Sequence, residues 1–310
     1  MREVLVLPGD GIGPELVEAT ERVLESASAG FGLGLRMRRM AIGFEALEIH
    51  GTTMPKAVLD AARLADGVVL GPVSHNAYPP VAEGGLNPSG VLRRELDLFA
   101  NIRPARRRRA VPAPGGDINL VIVRENTEGF YADRTMFQGT GEIMPTPDLA
   151  LALRKVTREG SRRIAEAALD IARARPARRL TAVHKANVLR VSDGLFLEEV
   201  RKVAEAAPEI VYDEVLVDAA AAHLVRDPAR FDVIVTTNMF GDILSDLASE
   251  LAGGLGLAGS LNLGHAAAVA QAQHGSAPDI AGRGVANPTS LVLSAAMLLD
   301  HLGMAEAARA

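Results

Sequence analysis

Val4-Leu5-Val6-Leu7-Pro8-Gly9-Asp10-Gly11-Ile12-Gly13-Pro14 runs from an apolar strand, through a glycine-rich turn, into a helix predicted over Pro14–Ala27. Its apolar residues follow one another without polar alternation, which marks a strand buried on both faces, as in a parallel sheet. Leu16, Val17, Thr20, Val23 and Leu24 then recur near helical spacing. A strand, a glycine turn and a helix invite a dinucleotide-binding reading. The G-x-G-x-x-G fingerprint, however, needs a glycine where Pro14 stands. Gly254-Leu255-Gly256-Leu257-Ala258-Gly259 has the formal spacing but follows a helix instead of a strand. The chain is therefore expected to be α/β without the usual Rossmann fingerprint.

Further along, strands are predicted at Gly67–Val73, Ile118–Val123, Leu180–Val183, Val211–Val217 and Asp232–Val235, and helices at Val156–Ala174 and Thr289–Leu302. This alternation favours a mostly parallel sheet. Pro and Gly crowd Pro72–Gly90, which reads as a long loop of the kind that often carries function. Asp10, Arg124, Lys185, Asp218 and Asp242 each lie just after a strand. In open α/β sheets ligands bind beyond the carboxyl ends of strands, so one cleft shared by all five is expected. The alternative is that strand ends are simply where polar residues begin.

At 310 residues the chain has room for two domains. A net charge of −5 argues against a nucleic-acid partner. Arg106–Arg109 has no interleaved aromatic to stack bases and reads as a solvated loop. The absence of Cys excludes disulfides, thiolate zinc sites and a Cys nucleophile. The first apolar run, Val4–Leu7, is too short for a signal-peptide core, and no apolar stretch approaches a bilayer span. No membrane partner is expected, and the expected location is cytoplasmic.

Asp242 and Asp246 are four apart and share a helical face. Two carboxylates there suit a hard cation such as Mg²⁺ or Mn²⁺. Acids also gather in a first helical turn because they offset the macrodipole, and an isolated pair reads more readily that way. Arg93, Arg103 and Arg124 can clamp carboxylates bidentately, although each alone is more often a surface residue. Lys185 is a candidate general base and Tyr131 a candidate proton donor.

At these residues the chain resembles the metal-dependent β-decarboxylating dehydrogenases acting on isocitrate, homoisocitrate, 3-isopropylmalate and tartrate or malate. The resemblance rests on ordered motifs: LPGDGIGPE at the start, Leu92–Pro104, Val123–Tyr131, His184–Val188, Thr236–Asp246, His274–Gly282 and Ala286–Ser290. It implies an isopropylmalate-dehydrogenase-like fold of two α/β domains with a mixed, mostly parallel sheet. One domain combines residues 1–100 and 250–310, and the other is 101–249. It also implies a homodimer with shared active sites.

By position, the resemblance gives Arg93, Arg103 and Arg124 the grip on the malate portion of a small hydroxy-di- or tricarboxylate. Asp218, Asp242 and Asp246 match metal ligands, and Lys185 and Tyr131 match catalytic residues. Asp218 and Lys185 are the ones supplied across the interface. Asn87 and Ser89 lie in the loop that sets substrate choice and lean toward a polar 3-substituent. Ile12, His274, Gly275, Ser276, Ala277, Asp279, Ile280 and Asn287 match the cofactor-holding set. Asp279 points to NAD, because a carboxylate accepts from a free ribose 2′-hydroxyl and repels a 2′-phosphate.

The implied reaction is oxidative decarboxylation of a 3-substituted malate to a 2-oxo acid and CO₂. Tartrate or D-malate dehydrogenase is the alternative enzyme within the family, and a catalytically silent, isocitrate-dehydrogenase-like regulatory subunit is the alternative of a different class. The chain departs from the pattern at Ala270-Gln271-Ala272-Gln273, where Phe-Glu-Pro-Val is usual, and at Ala219 and His265.

Overall fold

In the strand that opens the chain, Val4, Leu5, Val6 and Leu7 are all at most 1% exposed. Their side chains alternate between two cores. Val4 and Val6 pack with Leu16, Val17, Leu24, Leu291 and Leu298. Leu5 and Leu7 pack with Val58, Leu70, Leu92 and Leu98 on the other face. Each such burial contributes about 1.5–3 kcal/mol, which is why this run cannot shift register.

The computed structural model describes residues 2–131, 136, 139 and 141–310. In chain order these form β1 (Arg2–Leu7), α1 (Gly13–Phe31), β2 (Leu35–Arg39), α2 (Gly43–His50), α3 (Lys56–Leu64), β3 (Gly67–Leu70), α4 (Pro88–Glu95) and β4 (Ala100–Arg106). There follow β5 (Asn119–Glu125), β6 (Glu142–Thr146), β7 (Leu149–Ala152), α5 (Arg158–Ala174), β8 (Arg179–His184), α6 (Ser192–Glu205), β9 (Val211–Leu216) and α7 (Val217–Arg226). The chain closes with β10 (Val233–Thr236), α8 (Asn238–Leu251), β11 (Leu261–Leu263), β12 (Ala268–Gln271), α9 (Thr289–His301) and α10 (Ala305–Arg309).

The chain divides into two compact units: Met1–Leu98 with Leu255–Ala310, and Phe99–Gly254. In the first, strand order is β2-β1-β3-β12-β11, parallel except for the β11–β12 pair. In the second it is β4-β5-β10-β8-β9, parallel except for β4 against β5. Its core gathers Ile118, Leu120, Ile122, Val183, Ile234, Leu244 and Ala248. The fold is thus α/β with a mixed, mostly parallel sheet.

Several boundaries differ from the sequence reading for local reasons. Helix α1 runs to Phe31 instead of Ala27 and ends where Gly32 takes the left-handed cap (φ 63°), its N–H returning to the Ser28 carbonyl. Strand β3 stops at Leu70, before Gly71-Pro72, where Pro72 has no N–H to donate. The long loop from Pro72 ends early: Pro88 opens α4 at its first turn, and the Asn87 side chain accepts from Gly90 N at 3.2 Å. Strands β2, β4, β6, β7, β11 and β12, and helices α2, α3, α4, α6 and α10, were not anticipated. No helix among the described residues is long and apolar enough to cross a membrane.

Candidate active site

In the second unit, five of the residues singled out in the sequence come together. Arg124, 2% exposed, closes β5. Its Nε and Nη2 both donate to Asn238 Oδ1, at 3.1 and 2.6 Å, and its Nη1 donates to the Asp242 carboxylate. Arg103, on the neighbouring antiparallel strand, donates from Nη1 to Asp242 Oδ1 at 3.1 Å and to Ser245 Oγ at 2.7 Å. The same nitrogen lies 3.5 Å from Asp246 Oδ1. Tyr131 donates its hydroxyl to Asp242 Oδ2 at 3.3 Å, and its ring lies beneath the Arg124 guanidinium at 5.8 Å.

Local sequence explains the assembly. Asn238, Asp242, Ser245 and Asp246 fall at helical spacing, so α8 presents one polar stripe toward β4 and β5. Gly241 lets the arginine cross close to the helix: a Cβ there would sit 2.6 Å from Arg124 Cγ. Asn238, Asn101 and Ser245 were overlooked in the sequence, although the i, i+4 and i+7 spacing around Asp242 was available to find Asn238 and Ser245. Asn101 Oδ1 accepts from Arg103 Nε at 3.2 Å.

Burial pushes the Arg103 guanidinium down to about 10, and the adjacent charge of Arg124 adds to the shift. Asp242 and Asp246 oppose it, and the group stays cationic at neutral pH. Two buried cations so close require an anion between them, and Asp242 is that anion.

Asp242 and Asp246 keep 37% and 51% of their side chains exposed. As accessible oxygen donors on one helical face they fit a hard divalent cation, which takes six or more oxygen ligands. Among the described residues no third Asp, Glu or His joins them to form a cluster. The donor set fits such a cation but is incomplete among the described residues.

Lys185 and Asp218 form a separate pair. Lys185 Nζ donates to Asp218 Oδ1, and this hydrogen bond holds the aspartate below the usual carboxylate range. Lys185 follows β8, and Asp218 lies in the first turn of α7. Arg124 and Asp242 share a cluster, while Lys185 and Asp218 pair with each other. Asp10, in the other unit, has its lone pairs taken internally: it accepts from Phe44 N and Ser74 N, both at 2.8 Å, and from the Tyr78 hydroxyl.

In the first unit, the turn after β1 meets the loop that begins at His274. Ile12 N donates to Ser276 O at 2.9 Å. Gly11 (φ 56°) is forced by this approach, since a Cβ would fall 2.1 Å from the Ser276 carbonyl oxygen. Ser276 and Ser74 hydroxyls lie 2.7 Å apart. Gly275, Asp279 and Asn287 are exposed, while His274, Ala277 and Ile280 are half-buried. Ser89 is buried on α4, with its hydroxyl donating to Gln271 Oε1 at 3.1 Å, and Arg93 lies one turn further along. The carbonyl oxygen of Asn87 is engaged as the cap of that helix.

The chain matches the family described as isocitrate/isopropylmalate dehydrogenase over residues 3–310. It is 43% identical to a 3-isopropylmalate dehydrogenase of Archaeoglobus fulgidus, with 100% of this chain and 89% of that protein covered. It is 45% identical to an isocitrate/homoisocitrate dehydrogenase of Thermus thermophilus, covering 99% and 87%. The crystal structure of isocitrate dehydrogenase from Methylococcus capsulatus superposes with a TM-score of 0.89 at 43% identity, covering 100% of this chain and 88% of that one. With motifs, fold and full-length similarity in agreement, the chain belongs to the isocitrate/isopropylmalate dehydrogenase family.

Proposed function

We propose that the chain catalyses the NAD-dependent, divalent-metal-dependent oxidative decarboxylation of a 3-substituted malate to a 2-oxo acid and CO₂. The observation that carries this reading is the Arg103–Arg124–Tyr131–Asp242 cluster. It sets two buried guanidiniums, a phenol and an accessible aspartate pair within hydrogen-bond reach of one another.

Arg103 and Arg124, with Arg93, bind the substrate carboxylates, since a guanidinium fork matches a carboxylate better than any other side chain does. Asp242 and Asp246, with Asp218 of the partner subunit, would hold Mg²⁺ or Mn²⁺. When bound, the cation would supply Lewis acidity, and NAD would supply the acceptor for the C2 hydride. Lys185 takes the hydroxyl proton, the 3-carboxylate leaves as CO₂, and Tyr131 delivers a proton to C3. Ile12, His274–Ala277, Asp279, Ile280 and Asn287 would hold the cofactor, and Asp279 selects NAD over NADP. A polar 3-substituent faces Asn87 and Ser89.

The chain acts as a homodimer with shared sites. Val188 and Val191, just after Lys185, and Ile243, beside Asp242, are exposed. So are Ile143, Met144, Leu149 and Leu151 of the β6–β7 hairpin. Exposed apolar surface of this kind suits a second copy.

A panel of isocitrate, homoisocitrate, 3-isopropylmalate, tartrate and D-malate, assayed with NAD and Mn²⁺, tests the proposal. NADH formation with at least one, abolished by chelator and restored by Mn²⁺, is the expected outcome. No turnover of any, or turnover indifferent to chelation, overturns it.

A further inference from the structure

Arg154 lies between β7 and α5, away from every motif quoted above. Its side chain is only 8% exposed. Nη1 donates to Ser192 Oγ at 2.8 Å and to the Asp193 carboxylate, and Nη2 donates to Thr237 Oγ1 at 2.9 Å. The guanidinium carbon lies 5.9 Å from the Phe130 ring centre and 5.4 Å from that of Phe240.

Each contact leads to a segment that carries a group of the proposed reaction. Asp193 is fully buried, and its other oxygen accepts the backbone N–H of Lys185 at 2.5 Å. Thr237 is the cap residue of α8, the helix of Asp242 and Asp246. Phe130 directly precedes Tyr131. One buried cation therefore touches three chain segments that are remote in sequence and converge only in the fold.

Stability alone is a poor reason for such an arrangement. A buried ion pair offsets little more than its own desolvation, and an apolar replacement of similar volume is often as stable or more so. A guanidinium instead fixes the directions of several acceptors at once, because its donors form a rigid planar fork.

We propose that Arg154 is a positioning residue that holds the Lys185 turn, the start of α8 and the Tyr131 segment in one geometry. It touches neither substrate nor cofactor. The inference rests on the roles assigned above to Lys185, Tyr131 and Asp242. In a homodimer with shared sites Lys185 serves the partner's site and Tyr131 its own, so Arg154 ties the geometries of two sites together.

The test uses the full chain as a dimer, with the best substrate of the panel. Arg154→Met is expected to lower kcat about 100-fold, the effect of a small misplacement of reacting groups. KM for the hydroxy acid should change less than about threefold, since no substrate contact is lost. Arg154→Lys, which keeps the charge but loses the fork, should fall between the two. Thr237→Val removes one contact without burying a bare charge and keeps the question open to measurement if Arg154→Met does not fold. It should lower kcat with KM unchanged. Wild-type kcat per folded dimer in Arg154→Lys and Thr237→Val, or a loss expressed wholly in KM, overturns the inference. If the wild type itself turns over nothing in the panel, the proposed function fails instead.

Discussion

Asp10 and Asp242 both follow buried strands, β1 and β10, and both sit close to the start of a helix, yet the fold uses them in opposite ways. Asp10 is 6% exposed, and its two oxygens accept from Phe44 N, Ser74 N and the Tyr78 hydroxyl. It ties its own turn to the start of α2 and to the loop that carries Ser74 and Tyr78. Asp242 keeps 37% of its side chain exposed and is held by two buried guanidiniums instead of by backbone N–H groups. Each carboxylate accepts from three donors of its own chain, so what separates a knot from a site here is that Asp242 stays accessible.

That contrast can be broken most forcefully at Asp242. Asp242→Asn removes one of the accessible carboxylates and the anion shared by Arg103 and Arg124. It is expected to lower kcat/KM about 1,000-fold, the scale of losing a preorganised electrostatic group. Retained activity in steady-state assays, with the variant still folded by circular dichroism, would put the site elsewhere.

A smaller effect is expected at the exposed Asp279. Asp279→Lys should shift the NAD-to-NADP ratio of kcat/KM toward NADP by about tenfold or more, equivalent to ~1.4 kcal/mol of differential binding. An unchanged ratio would mean that this loop does not contact the ribose.

The smallest effect on turnover is expected at Asp10. Asp10→Asn leaves one acceptor oxygen where there were two, which costs about 1–3 kcal/mol of stability. Thermal unfolding should show that loss, while kcat at a temperature where the variant is folded stays near wild type. A collapse of kcat without a change in Tm would erase the distinction between the two aspartates.

The helical spacing around Asp242 was legible without the fold, and so was the apolar run of β1. Pro14 was enough to exclude the dinucleotide fingerprint. Arg154 was not legible, because its acceptors Asp193 and Thr237 are 39 and 83 residues away. Helix α4 was hidden inside a Pro- and Gly-rich stretch that reads as loop, since proline at a first helical turn looks like proline in a turn.

Composition and periodicity thus reach as far as interactions between near neighbours reach: the strands β1, β3, β5, β8, β9 and β10, most long helices, the polar stripe of α8 and the residue types of the site. The motif order carries the family. The partition of the strand-end residues into a buried knot, an arginine–aspartate cluster and a lysine–aspartate pair belongs to the tertiary structure. Asp10 is spent on amides 34 and 64 residues away, and Arg103 and Arg124 reach Asp242 across 139 and 118 residues. A hydrogen-bond acceptor is claimed by whichever donor the packed backbone brings within about 3 Å, and no local pattern in the chain encodes which donor that is.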